Sequence, residues 1–116
     1  MKNLDNLINK AIQLHKEGKL QDAINLYFDV LKNKKNDSQL LFLIGTAYIQ
    51  QGKIEKGIKE LKKSISLKPE NVFVHSNLGN ALKDLKRYDE ALVSYDEALR
   101  INPNLADIHN NRGSIL

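Results

Sequence analysis

A chain of 116 residues with 41% hydrophobic and 28% charged side chains has the size and composition of one soluble domain that can bury a core without staples. It contains no cysteine, which excludes a disulfide framework and any thiolate metal site while leaving the redox compartment open. The net charge of +4 invites a polyanionic partner, but the excess is local: residues 38–71 hold six Lys against three Glu, whereas residues 72–105 hold four basic against five acidic side chains.

The N-terminus, Met1 to Lys10, carries Lys2, Asp5 and Lys10 and lacks an apolar stretch, so it does not read as a secretory signal. Leu4, Leu7, Ala11 and Leu14 recur at helical spacing and predict a helix over 4–17, ended at Gly18, where a positive φ costs nothing. Leu20, Ala23, Tyr27 and Leu31 predict a second helix over 20–33. Asp37 is a plausible N-cap for a third over 38–51. That helix holds the longest apolar run, Leu40 to Ile44, far short of the roughly twenty residues that cross a bilayer. A soluble, cytoplasmic protein without membrane insertion is the expectation.

Gly52 separates the third helix from a fourth over 54–67, and Pro69 stops the fourth. Lys53, Lys56, Lys59, Lys62 and Lys63 cluster here with Glu55 and Glu60 between them. A solvated helix face and a phosphate-binding patch both fit, but the interleaving favours the solvated face and argues against nucleic acid as the partner. Asn71 caps a fifth helix over 72–85, and a sixth spans 88–101 before Pro103. Lys86 stands where the earlier turns have Gly. The tail, 106–116, predicts a seventh helix ending on Ile115 and Leu116. An apolar end is unlike a polar cap, which raises the expectation of a longer array or of self-association through the C-terminal helix. No strand signal competes.

These helices repeat. Gly45, Tyr48, Gly52 and Pro69 align with Gly79, Leu82, Lys86 and Pro103 at a constant offset of about thirty-four residues. Such a period means one supersecondary unit stacked on copies of itself, with units at about 4–37, 38–71 and 72–105 and a partial one at 106–116 forming a single array over 1–116. A solenoid offers a long surface rather than an enclosed pocket, so binding outranks catalysis. Ala11 is expected to face Ala23, Gly45 to face Gly57 and Gly79 to face Ala91, so that small residues let paired backbones approach. Tyr27, Leu61 and Tyr95 are expected to fill the gap to the next unit. Gly57 weakens its helix by roughly 1 kcal/mol, marking the second unit as soft, and Lys10 replaces an apolar residue as a terminal unit allows.

The pattern resembles the tetratricopeptide repeat family over essentially the whole chain. The third unit matches through His75, Leu78, Gly79, Leu82, Tyr88, Ala91, Tyr95, Ala98, Leu99 and Pro103. The second does so through Leu41, Ile44, Gly45, Tyr48, Gly52, Leu61 and Pro69, and the first through Leu7, Ala11, Leu14, Gly18, Ala23, Tyr27 and Leu31. The resemblance implies an all-α, right-handed superhelical solenoid of antiparallel helix pairs. It also implies that the first helix of each pair lines a concave groove that takes an extended peptide or a partner helix.

Carried over by position, the groove receives Asp5, Ile8, Asn9 and Ile12 from the first unit and Gln39, Phe42, Thr46 and Ile49 from the second. The third gives Phe73, Ser76, Asn77, Asn80 and Lys83, and the partial fourth Asp107, Asn110, Asn111 and Ser114. Its N-terminal half is apolar; its C-terminal half offers amides that donate and accept toward any peptide backbone. Asn9, Asn77 and Asn111 share one unit position, with Leu43 interrupting, and resemble the asparagine ladder of peptide O-linked sugar transferases. The alternatives are that Asn is merely frequent in this chain and that Phe42 and Phe73 pack between units.

The two-carboxylate clamp of the family's chaperone-binding branch requires Lys, Asn and Arg. The matching positions hold Ile8, Ile12, Leu43, Phe73 and Asn77, or Phe42, Thr46, Asn77, Asp107 and Asn111 in the shifted register, and neither set grips a carboxylate. His15, His75 and His109 have no partners at metal-ligand spacing and are expected to pack, and no phosphate loop or nucleophile motif occurs. The sequence therefore reads as a protein-interaction scaffold with no enzymatic activity, metal or cofactor and with a protein or peptide partner. The alternative is an N-terminal substrate-recruiting module of a larger enzyme such as a glycosyltransferase.

Overall fold

The computed structural model describes residues 4–116; Lys2, one of the charges weighed at the N-terminus, lies outside them. The described residues form seven helices: α1 (Leu4–Lys16), α2 (Leu20–Leu31), α3 (Ser38–Gln50), α4 (Ile54–Leu67), α5 (Val72–Asp84), α6 (Tyr88–Ile101) and α7 (Ala106–Gly113). Five stop a residue or more before the predicted end. The largest difference is α7, which closes at Gly113 rather than running to 116, leaving Ile115 folded against the core and Leu116 exposed.

The turns within pairs share one hydrogen-bond pattern. Lys19 N–H reaches the Leu14 carbonyl at 2.9 Å while Gly18 N–H reaches that of His15 at 3.1 Å. The same two bonds recur from Lys53 to Tyr48 and Gly52 to Ile49, and from Arg87 to Leu82 and Lys86 to Lys83. This is a Schellman closure, which requires a left-handed residue after the helix end. Gly18 and Gly52 supply it at φ 80° and 84°, and Lys86 adopts φ 61° despite its side chain.

The turns between pairs use side chains. The Asp37 carboxylate accepts from Leu40 N–H at 3.0 Å and Asn71 Oδ1 from Phe73 N–H at 3.0 Å, so both predicted N-caps are present. His75 Nε2 lies 2.7 Å from the Pro69 carbonyl, and His109 Nε2 lies 2.9 Å from that of Pro103. A carbonyl only accepts, so Nε2 carries the proton in both rings. His75 is buried, as the packing expectation had it, whereas His109 is exposed.

Helices contact their sequence neighbours almost throughout, and the chain extends over 51 × 25 × 21 Å, the geometry of a stacked solenoid. Beyond these, α3 and α5, the first helices of the second and third pairs, also touch each other. The buried residues fall into two clusters, one around Tyr27, Val30, Leu40 and Ile44, the other around Leu61, Leu78, Tyr95 and Ile108.

Within the α3–α4 pair the backbones touch. A Cβ on Gly45 would lie 3.0 Å from the Gly57 carbonyl oxygen, and one on Gly57 would lie 2.7 Å from that of Gly45. Gly57 is therefore a packing requirement, not the soft point its propensity implied. In the third pair the expectation is corrected differently: a Cβ on Gly79 would first meet the Tyr95 ring, at 2.7 Å. Tyr95 and Leu61 thus occupy space opened by a glycine inside their own pair, not only the gap to the next one.

Candidate functional site

A pocket of about 230 Å³ opens between α3 and α5. Thr46, Ile49 and Gln50 line it from α3; Asn77, Asn80, Ala81 and Asp84 line it from α5. The lining residues recur at i, i+3 and i+4 on each helix, so the pocket continues the faces already expected to form the groove.

Asn80 is its fixed point. The buried Tyr95 hydroxyl donates to Asn80 Oδ1 at 2.5 Å, and Asn111 Nδ2 donates to the same oxygen at 3.0 Å. With Oδ1 held by two donors, the Asn80 NH2 group is left to donate into the pocket. Among the described residues, none pairs with the Asn77 amide. Burial pushes the Tyr95 hydroxyl up to about 12, with the charge of Asp84 adding to the effect, so it remains a donor at neutral pH.

The structure treats the other expected groove residues unequally. Thr46 lines the pocket but donates its hydroxyl to the Leu43 carbonyl at 2.9 Å. Ile12 lines a neighbouring depression with His15, Leu43 and Gln50. Asn9 and Asn110 are exposed away from the pocket, and half-buried Phe42 packs against the C-terminal core. Phe73 is 66% exposed in a shallow, larger depression at the α4–α5 turn, beside Leu67, Pro69 and Val72. It stands in the first turn of α5, whose side chains lean back over the preceding turn instead of into the pocket.

Three lining residues escaped the sequence reading: Gln50, Ala81 and Asp84, each one residue beyond a position carried over. His15 links the first two pairs, with Nδ1 3.0 Å from the Tyr27 hydroxyl and Nε2 2.7 Å from Gln50 Oε1. Since an amide oxygen only accepts, Nε2 donates to Gln50 and Nδ1 accepts from Tyr27. Nothing local in the sequence signals a bond spanning 35 residues.

The lysine cluster on α4 is partly engaged. Lys56 lies over the Tyr48 ring at 5.8 Å, and Lys63 Nζ lies 3.6 Å from Glu60 Oε1. Among the described residues no group of three or more His, Asp or Glu side chains could hold a metal ion. No helix among them is long and apolar enough to cross a membrane.

The model of the TPR repeat matches residues 45–86 and 79–116, more than half of the chain. The chain belongs to the TPR-repeat family. Its relatives include Hsp70-Hsp90 organizing protein 3 of Arabidopsis thaliana, 30% identical over 88 residues that span 76% of this chain and 16% of that protein. They also include Protein O-mannosyl-transferase TMTC3 of Mus musculus, 28% identical over 92 residues, 79% of this chain and 10% of that one. The chain thus spans less than a fifth of either relative. Among solved structures, the first TPR of Spaghetti (RPAP3) bound to the HSP90 peptide SRMEEVD superposes with a TM-score of 0.92 at 22% identity, covering 97% of this chain and 89% of that one. MamA superposes at 0.92 with 18% identity, covering 97% and 66%. At such identities the likeness speaks to the fold, an all-α TPR solenoid.

Proposed function

We propose that this TPR array is a protein-interaction scaffold that binds an extended peptide or a partner helix along its concave side, without catalysis. The repeats 4–37, 38–71 and 72–105 and the partial repeat 106–116 act together as one binding surface. The observation that carries the reading is the Tyr95–Asn80–Asn111 chain, which orients Asn80 to donate into a pocket beside the unpaired amide of Asn77. Fixed donors and acceptors lining an open groove suit a peptide backbone, whose amides need partners once taken from water.

The solved neighbour holds an acidic peptide, but Ile8, Ile12, Leu43, Phe73 and Asn77 occupy the positions where a carboxylate clamp needs Lys, Asn and Arg. The partner here is therefore of a different kind. The similarity to TMTC3 supports a second reading, a substrate-recruiting module of a larger glycosyltransferase, which uses the same groove.

Affinity capture from native lysate with the wild-type chain and with an Asn77→Ala, Asn80→Ala, Asn111→Ala variant tests the groove. Proteins lost only from the variant, whose helicity by circular dichroism is unchanged, support it. Equal capture by both baits contradicts it.

A further inference from the structure

Asp84 is the one ionisable side chain lining the α3–α5 pocket, and none of the described residues forms an ion pair or hydrogen bond with it. It is also the last residue of α5, where the negative end of the helix opposes a carboxylate. The fold thus keeps an unpaired anion at an unfavourable place, at the mouth of a pocket whose other polar groups are amides and a hydroxyl. Its field reaches the floor, since it adds to the upward shift of the Tyr95 hydroxyl. The cations closest in sequence, Lys83, Lys86 and Arg87, stay out of the lining, and Arg87 is engaged by Glu55 and Glu90.

We propose that this pocket selects a cationic side chain, arginine or lysine, from the bound partner segment. The inference rests on the groove reading above and adds the partner's chemistry to it. The aliphatic stem lies against Ile49 and Ala81, and the cationic head reaches the Asp84 carboxylate. The oxygens of Asn77 and Thr46 are within the same lining to accept the remaining N–H groups of a guanidinium, which carries five donors and no acceptor. A volume of about 230 Å³ suits one long side chain and falls below the roughly 300 to 1,000 Å³ of small-molecule sites.

The probe is a positional library of N-acetylated, C-amidated heptapeptides, with a matching set bearing free C-terminal carboxylates, screened against the 116-residue chain. Preferred sequences are then compared with Arg or its neutral isostere citrulline at the selected position, by fluorescence anisotropy. Arg is expected to bind about tenfold more tightly than citrulline, as a charge-assisted hydrogen-bonded pair allows. Asp84→Asn collapses that ratio to near one, while Asp89→Asn, a charge-matched change on α6, retains it. Equal binding of the Arg and citrulline peptides overturns the proposal and leaves the groove reading standing. So does a preference for acidic residues or free carboxylates, or a ratio that survives in Asp84→Asn. If no peptide of either set binds, the groove reading itself fails and this inference falls with it.

Discussion

At position 57 two physical effects oppose each other, and their magnitudes decide the outcome. Replacing a mid-helix Gly by Ala ordinarily adds about 1 kcal/mol of helix propensity. Here the added Cβ would lie 2.5 Å from Ile49 Cγ1 and 2.7 Å from the Gly45 carbonyl oxygen. Ile49 can rotate, but a helical carbonyl cannot, so α3 and α4 must separate. Overpacking of this kind costs roughly 1 to 3 kcal/mol. Gly57→Ala is therefore expected to lower stability by about 1 kcal/mol net, read as a lower urea midpoint with an unchanged slope; a higher midpoint would show that the helices part without cost. Sequence periodicity identified the small-against-small contact of Gly45 with Gly57. It misjudged the cost because propensity scores a helix alone, whereas the requirement arises from the partner helix. Gly79 makes the converse point: the sequence paired it with Ala91, and the structure gives the space to Tyr95.

At the scale of elements, the three intra-pair turns are one device built from different residues. All three close with the same pair of backbone bonds, so the left-handed residue is demanded by the geometry rather than by glycine. Lys86 meets that demand at φ 61°, where a side chain adds roughly 1 to 2 kcal/mol of strain. Lys86→Gly relieves it but enlarges the conformational freedom of the unfolded chain, a loss of about 0.4 to 1 kcal/mol. The expected net effect is a stabilisation of up to about 1 kcal/mol, seen as a melting temperature a few degrees higher. An unchanged or lower melting temperature would mean that the Lys86 stem contributes contacts that offset the strain. These turns were legible because Gly and Pro punctuate sequence directly. The histidine bonds to Pro69 and Pro103 were not: His75 and His109 stood out as one repeated position, but nothing in the spacing reveals a ring nitrogen folding back onto a carbonyl.

Across the whole molecule, the solenoid's near-neighbour packing places one buried tyrosine in each core cluster, Tyr27 in the N-terminal and Tyr95 in the C-terminal one. The same packing explains why only part of the site could be read in advance. Asn77 and Asn80 share one face of α5 at i, i+3 spacing, and stacking of the last unit on the third brings Asn111 to Asn80. Gln50 and Asp84 join them only through the α3–α5 contact, which depends on how the pairs tilt. Burial pushes both tyrosine hydroxyls up to about 12, against roughly 10 in an unfolded chain. The sign follows from proton binding: between pH 10 and 12 the unfolded chain releases these protons while the fold retains them, so the unfolded state is favoured as pH rises. Their stabilising contribution is complete below pH 10 and declines above it, each tyrosine losing about 1.4 kcal/mol per pH unit in that window. Both cores are affected together, so helicity should collapse cooperatively above pH 10. The tyrosinate absorbance of two of the four tyrosines should rise only with that collapse. Tyr27→Phe with Tyr95→Phe forfeits the hydrogen bonds to His15 and Asn80 and lowers stability at neutral pH by about 2 kcal/mol in total, yet it should flatten the alkaline decline. A double variant that loses stability above pH 10 as steeply as the wild type would place the sensitive protons elsewhere.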